Sequence, residues 1–415
     1  MKLPRKRDRS RPHDIVLFGA TGFTGQLVAE YLAEHYGPSD VRVALAGRNA
    51  QKLERVRDDL KRAFPIDWPI LIADSFDQAS LDRVASDASV VCTTVGPYQK
   101  YGAGLVAACV EHGTDYCDLT GETPFIREMV DQHHDRARET GARIVHCCGF
   151  DSIPSDIGTW MMHREMQAQH DAQLREVKFF AGEQKGGFSG GTVASMMLIA
   201  ERIRKEPELR KLLGHPYALN PPGERSGPDR NDSMGVKLDR DLGMWTGPFV
   251  MAAINTRVVR RSNAVMGYPY GRDFRYSERM SFGKGPRGMA MASMVAGGIT
   301  GFMAAAAFEP TRNLLKKRLP DPGEGPSEEA REKGFFVVRL IAKGETADGR
   351  EVELRGRVEG KKDPGYGETA KMLGESALCL ALEPSDREGG VLTPASAMGD
   401  ALLARLRAAD MVFRA

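Results

Sequence analysis

The sequence predicts an α/β protein: a doubly wound parallel sheet near the N-terminus, followed by a second, mixed α/β (α+β) domain. Three observations carry this. Apolar runs and helically spaced segments alternate from Asp14 to Gly149, the pattern of βαβ units. The first apolar run ends directly in a glycine turn that opens a helix, the context a phosphate-binding turn requires. Far downstream, FFVVRLIAKG (335–344) and EVELRGRVEG (351–360) alternate in polarity and are joined by ETADGR, so they read as a β-hairpin.

Taken in order, residues 1–13 are basic and lack the apolar core of a signal peptide, so they read as a disordered tail, with a weak contact to anionic lipid as the alternative. From 14 to 150, DIVLFG, VRVALAG, PILIAD, SVVCTTVG, DYCDLTG and RIVHCCG read as strands with helical segments between them. Six strands in about 135 residues suit a Rossmann-type dinucleotide-binding domain. From 151 to 390 the chain reads as a substrate or dimerisation domain containing the hairpin. Residues 391–415 read as a C-terminal helix packing back on the first domain.

The first turn is GATGFTG. Gly19 permits the tight turn, Gly22 lets backbone approach a pyrophosphate, and Gly25 allows close packing of helix on strand. Ala20, Thr21, Phe23 and Thr24 complete the loop with N–H groups and hydroxyls at a helix N-terminus. The second strand ends in AGRN. NAD-binding domains place an acidic residue there; here Arg48 stands in its place, with Asn49 next and Lys52 one turn on. A guanidinium accepts a 2′-phosphate that a carboxylate would repel, so the residues indicate NADP(H). Asp74, closing the third strand, either accepts the adenine amine or caps the following turn. Thr94, Val95, Gly96 and Pro97 close the fourth strand, where the nicotinamide half of a cofactor runs in this fold.

GATGFTG, LAGRN, TTVGPY, DLTGE, CCGFDSIPSD, SGGTVAS and KDPGYGETAKML occur in this order. Together they resemble the saccharopine dehydrogenase-like oxidoreductases, and more narrowly their trans-acting enoyl reductase branch, from Asp14 to the C-terminal helix. The resemblance implies a cytosolic NADP-binding protein that saturates a double bond in a polyketide precursor of phthiocerol-type wax lipids, presented by a polyketide synthase carrier domain. It does not extend to saccharopine chemistry, since no arginine cluster for several carboxylates stands in the candidate site segments.

Hydride transfer to an enoyl thioester needs no covalent nucleophile. It needs donors for the developing oxyanion and an acid for the α carbon. Tyr98, Tyr101 and Asp151 are the catalytic candidates. Asp151 and Ser152 also suit a helix N-cap. Ser152, with Ser189, Gly190, Gly191 and Thr192 of a second glycine loop, are the substrate-binding candidates. His146, alone in an apolar strand, reads as a packed core residue, with proton donor as the alternative.

The net charge of +2 gives no argument for nucleic-acid binding, and the six cysteines lack metal-ligand spacing and read as buried thiols; no metal is expected. Residues 289–308, MAMASMVAGGITGFMAAAAF, carry no charge. Their length approaches that of a membrane span, but their Ala and Gly content makes insertion marginal. A buried or subunit-interface helix, as in a homodimer, and a peripheral membrane contact or acyl-tunnel wall both stand as readings. The expected location is cytoplasmic, with the inner membrane face open. The rival to the enzyme is a protein at a lipid surface that binds without turnover.

Overall fold

The computed structural model describes residues 10–186, 190–308, 310–311 and 325–415. The chain divides into two compact units: 1–153 with 322–325 and 365–409, and 154–321 with 326–364 and 410–415.

In the first unit the strands are β1 (His13–Phe18), β2 (Val43–Gly47), β3 (Ile70–Ile72), β4 (Ala88–Thr93), β5 (Asp115–Cys117), β6 (Arg143–Val145) and the late strand β13 (Gly390–Leu392). They lie in the order β13-β6-β5-β4-β1-β2-β3, and every pair is parallel. This is the doubly wound order 3-2-1-4-5-6 extended by one strand. β1, β2 and β4 are apolar along nearly their whole length because helices cover both faces. The seventh strand, β13, stands where the sequence suggests only a helix over 391–415. The chain enters this unit at its start through Arg11, whose guanidinium reaches the carbonyls of Ala85 (2.7 Å) and Ala88 (2.6 Å). Ordered structure therefore begins before residue 14.

The helices that return to this unit begin well before 391. The helix Gly367–Leu382 packs beside α1 (Phe23–His35). Buried Glu375 joins the two elements, accepting from the Tyr31 hydroxyl (2.6 Å), the Tyr36 hydroxyl (2.5 Å) and Arg405 Nε (2.8 Å).

The second unit holds β7 (Ala172–Lys185), β8 (Lys237–Asp239), β9 (Met244–Gly247), β10 (Arg275–Ser281), β11 (Phe335–Thr346), β12 (Glu351–Gly360) and β14 (Val412–Arg414), in the order β14-β12-β11-β7-β10-β9-β8. The β7–β10 pair is parallel, while the others are antiparallel. The hairpin is β11–β12, closed by a turn around Gly349 at φ +82°. Helix α10 (Ala252–Val265) buries three arginines, Arg257, Arg260 and Arg261. Arg260 is paired with Asp229 (2.7 Å) and the carbonyls of Pro216 (2.9 Å) and Tyr276 (3.0 Å); Arg257 is paired with Asp232.

Helix α11 (Gly285–Ala307) contains the uncharged stretch. It is long and apolar enough to cross a membrane by length and composition, and only 11% of its apolar window is buried. Ala292 packs at β9, where a side chain on Gly247 would meet the Ala292 carbonyl at 3.3 Å. Met294 (68% exposed) and Phe308 (62%) lie open. All six cysteines are free and buried.

Removing Glu375 leaves a largely buried guanidinium and two hydroxyls short of an acceptor. Glu375→Ala should cost about 3 kcal/mol, read as an earlier urea midpoint; an unchanged midpoint would show that the returning helices are held by apolar packing alone.

Candidate functional site

The carboxyl edge of the first sheet assembles around three glycines. Gly19 sits at φ +92°, where a side chain would also lie 2.6 Å from Val95 Cγ2. A side chain on Gly25 would stand 2.2 Å from the Gly19 carbonyl oxygen. The Gly22 N–H donates to that same oxygen at 3.0 Å, as does the Thr94 hydroxyl at 3.2 Å. The loop is thereby drawn onto the end of β4. α1 starts at Phe23 with Gly22 as N-cap, no side-chain cap and no acidic residue in its first turn. A helix N-terminus without a side-chain cap is the arrangement that takes a pyrophosphate. Thr21 accepts from Gln26 Nε2 at 3.1 Å, and the Phe23 ring stands edge-on to Tyr366 at 4.8 Å. This cradle fits a dinucleotide.

Arg48 leaves β2 exposed, and among the described residues neither its guanidinium nor the Lys52 ammonium enters a hydrogen bond or ion pair. Asn49 differs: its side-chain oxygen accepts from the Lys52 N–H at 2.9 Å and caps α2 (Ala50–Ala63). Asp74 accepts from the Phe76 N–H at 2.9 Å, which is the turn-capping alternative.

Two of the catalytic candidates part company here. Tyr98 is a core residue. Its hydroxyl donates to the Thr93 carbonyl (3.2 Å) and accepts from the Leu119 N–H (3.2 Å). Burial, with Asp118 nearby, pushes it well above the usual tyrosine range. A hydroxyl so placed cannot meet a substrate, which corrects the sequence reading. Tyr101, at the end of α4 (Tyr98–Tyr101), is half-buried beside the exposed Phe76 ring, 5.5 Å away.

Asp151 lies just beyond β6. The residue is half-buried, and desolvation of its carboxyl, reinforced by Asp118, raises it to about 7. Ser152 is fully buried against the Cys147 thiol, a position for holding the loop rather than receiving a substrate. Gly190, Gly191 and Thr192 open helix α8 (Gly190–Lys205) of the second unit, following α7 (Ile153–His170); Ser189 lies outside the described residues.

Sequence reasoning missed the roles of Asp118, Glu122 and His146. Buried Asp118 accepts from the Tyr116 hydroxyl (2.9 Å), the Thr120 N–H (3.1 Å) and the Cys147 N–H (3.2 Å), and pairs with His146 Nδ1 at 2.7 Å. Cys147 takes φ +64° as the chain turns over this carboxylate. The His146 ring lies edge-on to Phe125 and Tyr116, 5.4 and 5.7 Å away, and its Nε2 has no protein partner. Glu122 accepts from the N–H groups of Tyr98 (3.0 Å) and Gln99 (2.8 Å), fixing the turn after the cis Gly96–Pro97 bond. The signal was present as DLTGE after a strand, two acids four residues apart. Among the described residues no cluster suits a metal ion.

The saccharopine dehydrogenase NADP binding domain family matches residues 15–145. A putative trans-acting enoyl reductase of Mycobacterium tuberculosis is 46% identical over 414 residues, covering 97% of either chain. The trans-acting enoyl reductase of Mycobacterium ulcerans is 41% identical over 422 residues, covering 98% of each. Apo saccharopine dehydrogenase (L-Glu forming) from Saccharomyces cerevisiae shares the fold at a TM-score of 0.53 and 13% identity, over 97% of this chain and 98% of that one.

A carboxyl raised to about 7 in the folded chain, against an ordinary 3.8, binds a proton more tightly folded than unfolded. Its contribution is therefore present at low pH and is lost as pH rises through that interval. Asp151→Asn should melt higher than the parent at pH 8 and match it near pH 4. A difference of opposite sign would place the Asp151 carboxyl in a site that favours its charged form.

Proposed function

The chain belongs to the trans-acting enoyl reductases of the saccharopine dehydrogenase-like oxidoreductases, and on that premise we propose that it saturates the α,β-double bond of an acyl or polyketide thioester in lipid biosynthesis. The observation that most supports the reading is the intact cradle: Gly19 and Gly25 leave no room for side chains where backbone must approach a pyrophosphate. NADPH supplies a hydride to the β carbon when bound. The Gly19–Gly25 loop and the start of α1 hold its pyrophosphate. Arg48 and Lys52, without other partners among the described residues, would hold the 2′-phosphate. Thr94, Val95, Gly96 and Pro97 leave backbone space at the end of β4 for the nicotinamide half. Asp151, half-protonated near neutral pH, holds the proton that reaches the α carbon. Tyr101 stands at the mouth of this edge as a second donor. A polyketide synthase carrier domain presents the substrate.

The purified protein with NADPH should convert a carrier-bound enoyl thioester to its saturated form, read by mass spectrometry of the ejected acyl arm. NADPH should bind at least about tenfold more tightly than NADH, and Arg48→Glu should erase that preference. Equal affinities in the parent would remove the role given to Arg48. Tight NADPH binding without turnover would favour the rival, a lipid-surface protein.

The exposure of α11 favours a further placement, peripherally on a membrane. Its apolar surface is open at Met289, Met291, Met294, Met303 and Phe308, and the sequence around it is basic: Lys284 and Arg287 before, Arg312, Lys316, Lys317 and Arg318 after, against Glu309 alone. Apolar burial plus attraction to anionic headgroups is the physics of a monotopic contact. The protein should sediment with anionic liposomes more than with neutral ones, and high salt should release it. Met294→Ser with Phe302→Ser should weaken sedimentation while leaving NADPH affinity intact. If the double variant unfolds and the parent ignores liposomes, α11 belongs to a core or subunit interface.

A further inference from the structure

The second unit carries a cavity of about 480 Å³ between β10 and the loop that precedes β8, and its charges do not balance. Two of its acids are neutralised: Asp229 by Arg260 at 2.7 Å, and Asp232 by buried Arg257. A third, Glu278, is buried, accepts from the Tyr276 hydroxyl (2.7 Å) and Asn255 Nδ2 (3.0 Å), and is raised to about 7 by that burial.

The cations are not matched in the same way. Arg279 is buried and donates to the Thr246 hydroxyl at 2.8 Å and to backbone carbonyls, with no carboxylate in contact. Arg230, Lys237 and Arg275 line the cavity, are exposed, and among the described residues make no side-chain hydrogen bond or ion pair. Glu176 is the remaining acid in the lining; it stands opposite Arg275 in the β7–β10 register without forming an ion pair. The concavity is thus lined by four cations lacking carboxylate partners against one unpaired carboxylate and one half-protonated one. Walls of low dielectric focus such a field on an anion. Arginine forks held apart on a loop and a strand match the spread oxygens of a phosphoryl group better than one carboxylate of an apolar acid. The volume is that of a small-molecule site rather than a single-ion niche.

We propose that this cavity binds the phosphoryl group of the pantetheine arm on which a carrier domain presents the acyl chain, with Arg230 and Arg275 as the principal contacts. The assignment rests on the thioester-reductase reading above, because a thioester substrate held on a pantetheine arm brings such a group. The same chemistry is offered by free inorganic phosphate, and the titration separates the two.

The full chain is titrated calorimetrically with 4′-phosphopantetheine, with pantetheine lacking the phosphate, and with inorganic phosphate. The phosphorylated arm should bind at least about tenfold more tightly than pantetheine. Arg230→Ala with Arg275→Ala should abolish that difference, and Glu176→Gln should tighten binding of the arm by removing the unpaired negative charge. Both variants are surface changes and should melt with the parent. NADPH affinity should be the same in all three proteins. Equal binding of the two pantetheines, or a Glu176→Gln variant that binds the phosphorylated arm no better, overturns the proposal. Inorganic phosphate binding as tightly as the arm overturns the carrier assignment and leaves a plain phosphate site. Failure of the reductase reading would show separately, as a native protein that takes up the arm but does not bind NADPH.

Discussion

The carboxylate of Asp118 is the constraint on which the carboxyl edge of the first sheet depends. It is fully buried, and it is tolerable there because four groups serve it: a tyrosine hydroxyl, two backbone N–H groups and an imidazole. A charged group without such partners would cost several kcal/mol. Two of the four, the Cys147 N–H and His146, come from the segment after β6, so the carboxylate ties the end of β5 to the end of β6. The turn it imposes sends the chain through Cys147 at positive φ and sets Asp151 where burial raises its carboxyl to about 7. Four residues on, Glu122 does the corresponding job for the turn after β4. One short segment, DLTGE, thus fixes three strand ends at once.

Much of this was legible in the sequence because it is local. Strands and helices of 14–150 announce themselves by period, and the glycine turn by its place between a strand and a helix. The reading of Arg48 depends only on what stands at one strand end, where the residue is exposed. The failures are non-local. β13 adds to β6 from nearly 250 positions away in sequence, and nothing in GVL distinguishes a parallel strand from a loop. Tyr98 looked available because it follows a turn; its burial is decided by Leu119 and Phe125, which belong to other elements. His146 was correctly read as packed, yet its pairing with Asp118 depends on strand neighbours 28 residues apart.

The second unit shows the same limit more sharply. The segment NTRVVRRS of α10 carries three arginines with no local sign of burial, and all three are nearly inaccessible. They are stable there because Asp229, Asp232 and a row of loop carbonyls converge on them. The long loop before β8 is therefore ordered by the helix it covers, not by its own Pro- and Gly-rich sequence. That ordering leaves Arg230 facing the cavity, outside the paired set.

The order in which the chain visits its two units matters for how it is made. The first unit recruits its seventh strand and its last helices from residues 365–409. At a synthesis rate of roughly 5–20 residues per second, the nascent chain therefore spends tens of seconds with β1–β6 complete and the outer edge of β6 unpaired. An uncovered parallel edge is a template for other chains, and the faces awaiting Gly367–Leu382 are apolar. The nucleotide-binding half is thus finished only when the last residues of the chain have been made, although its sequence pattern suggests a domain finished by residue 150.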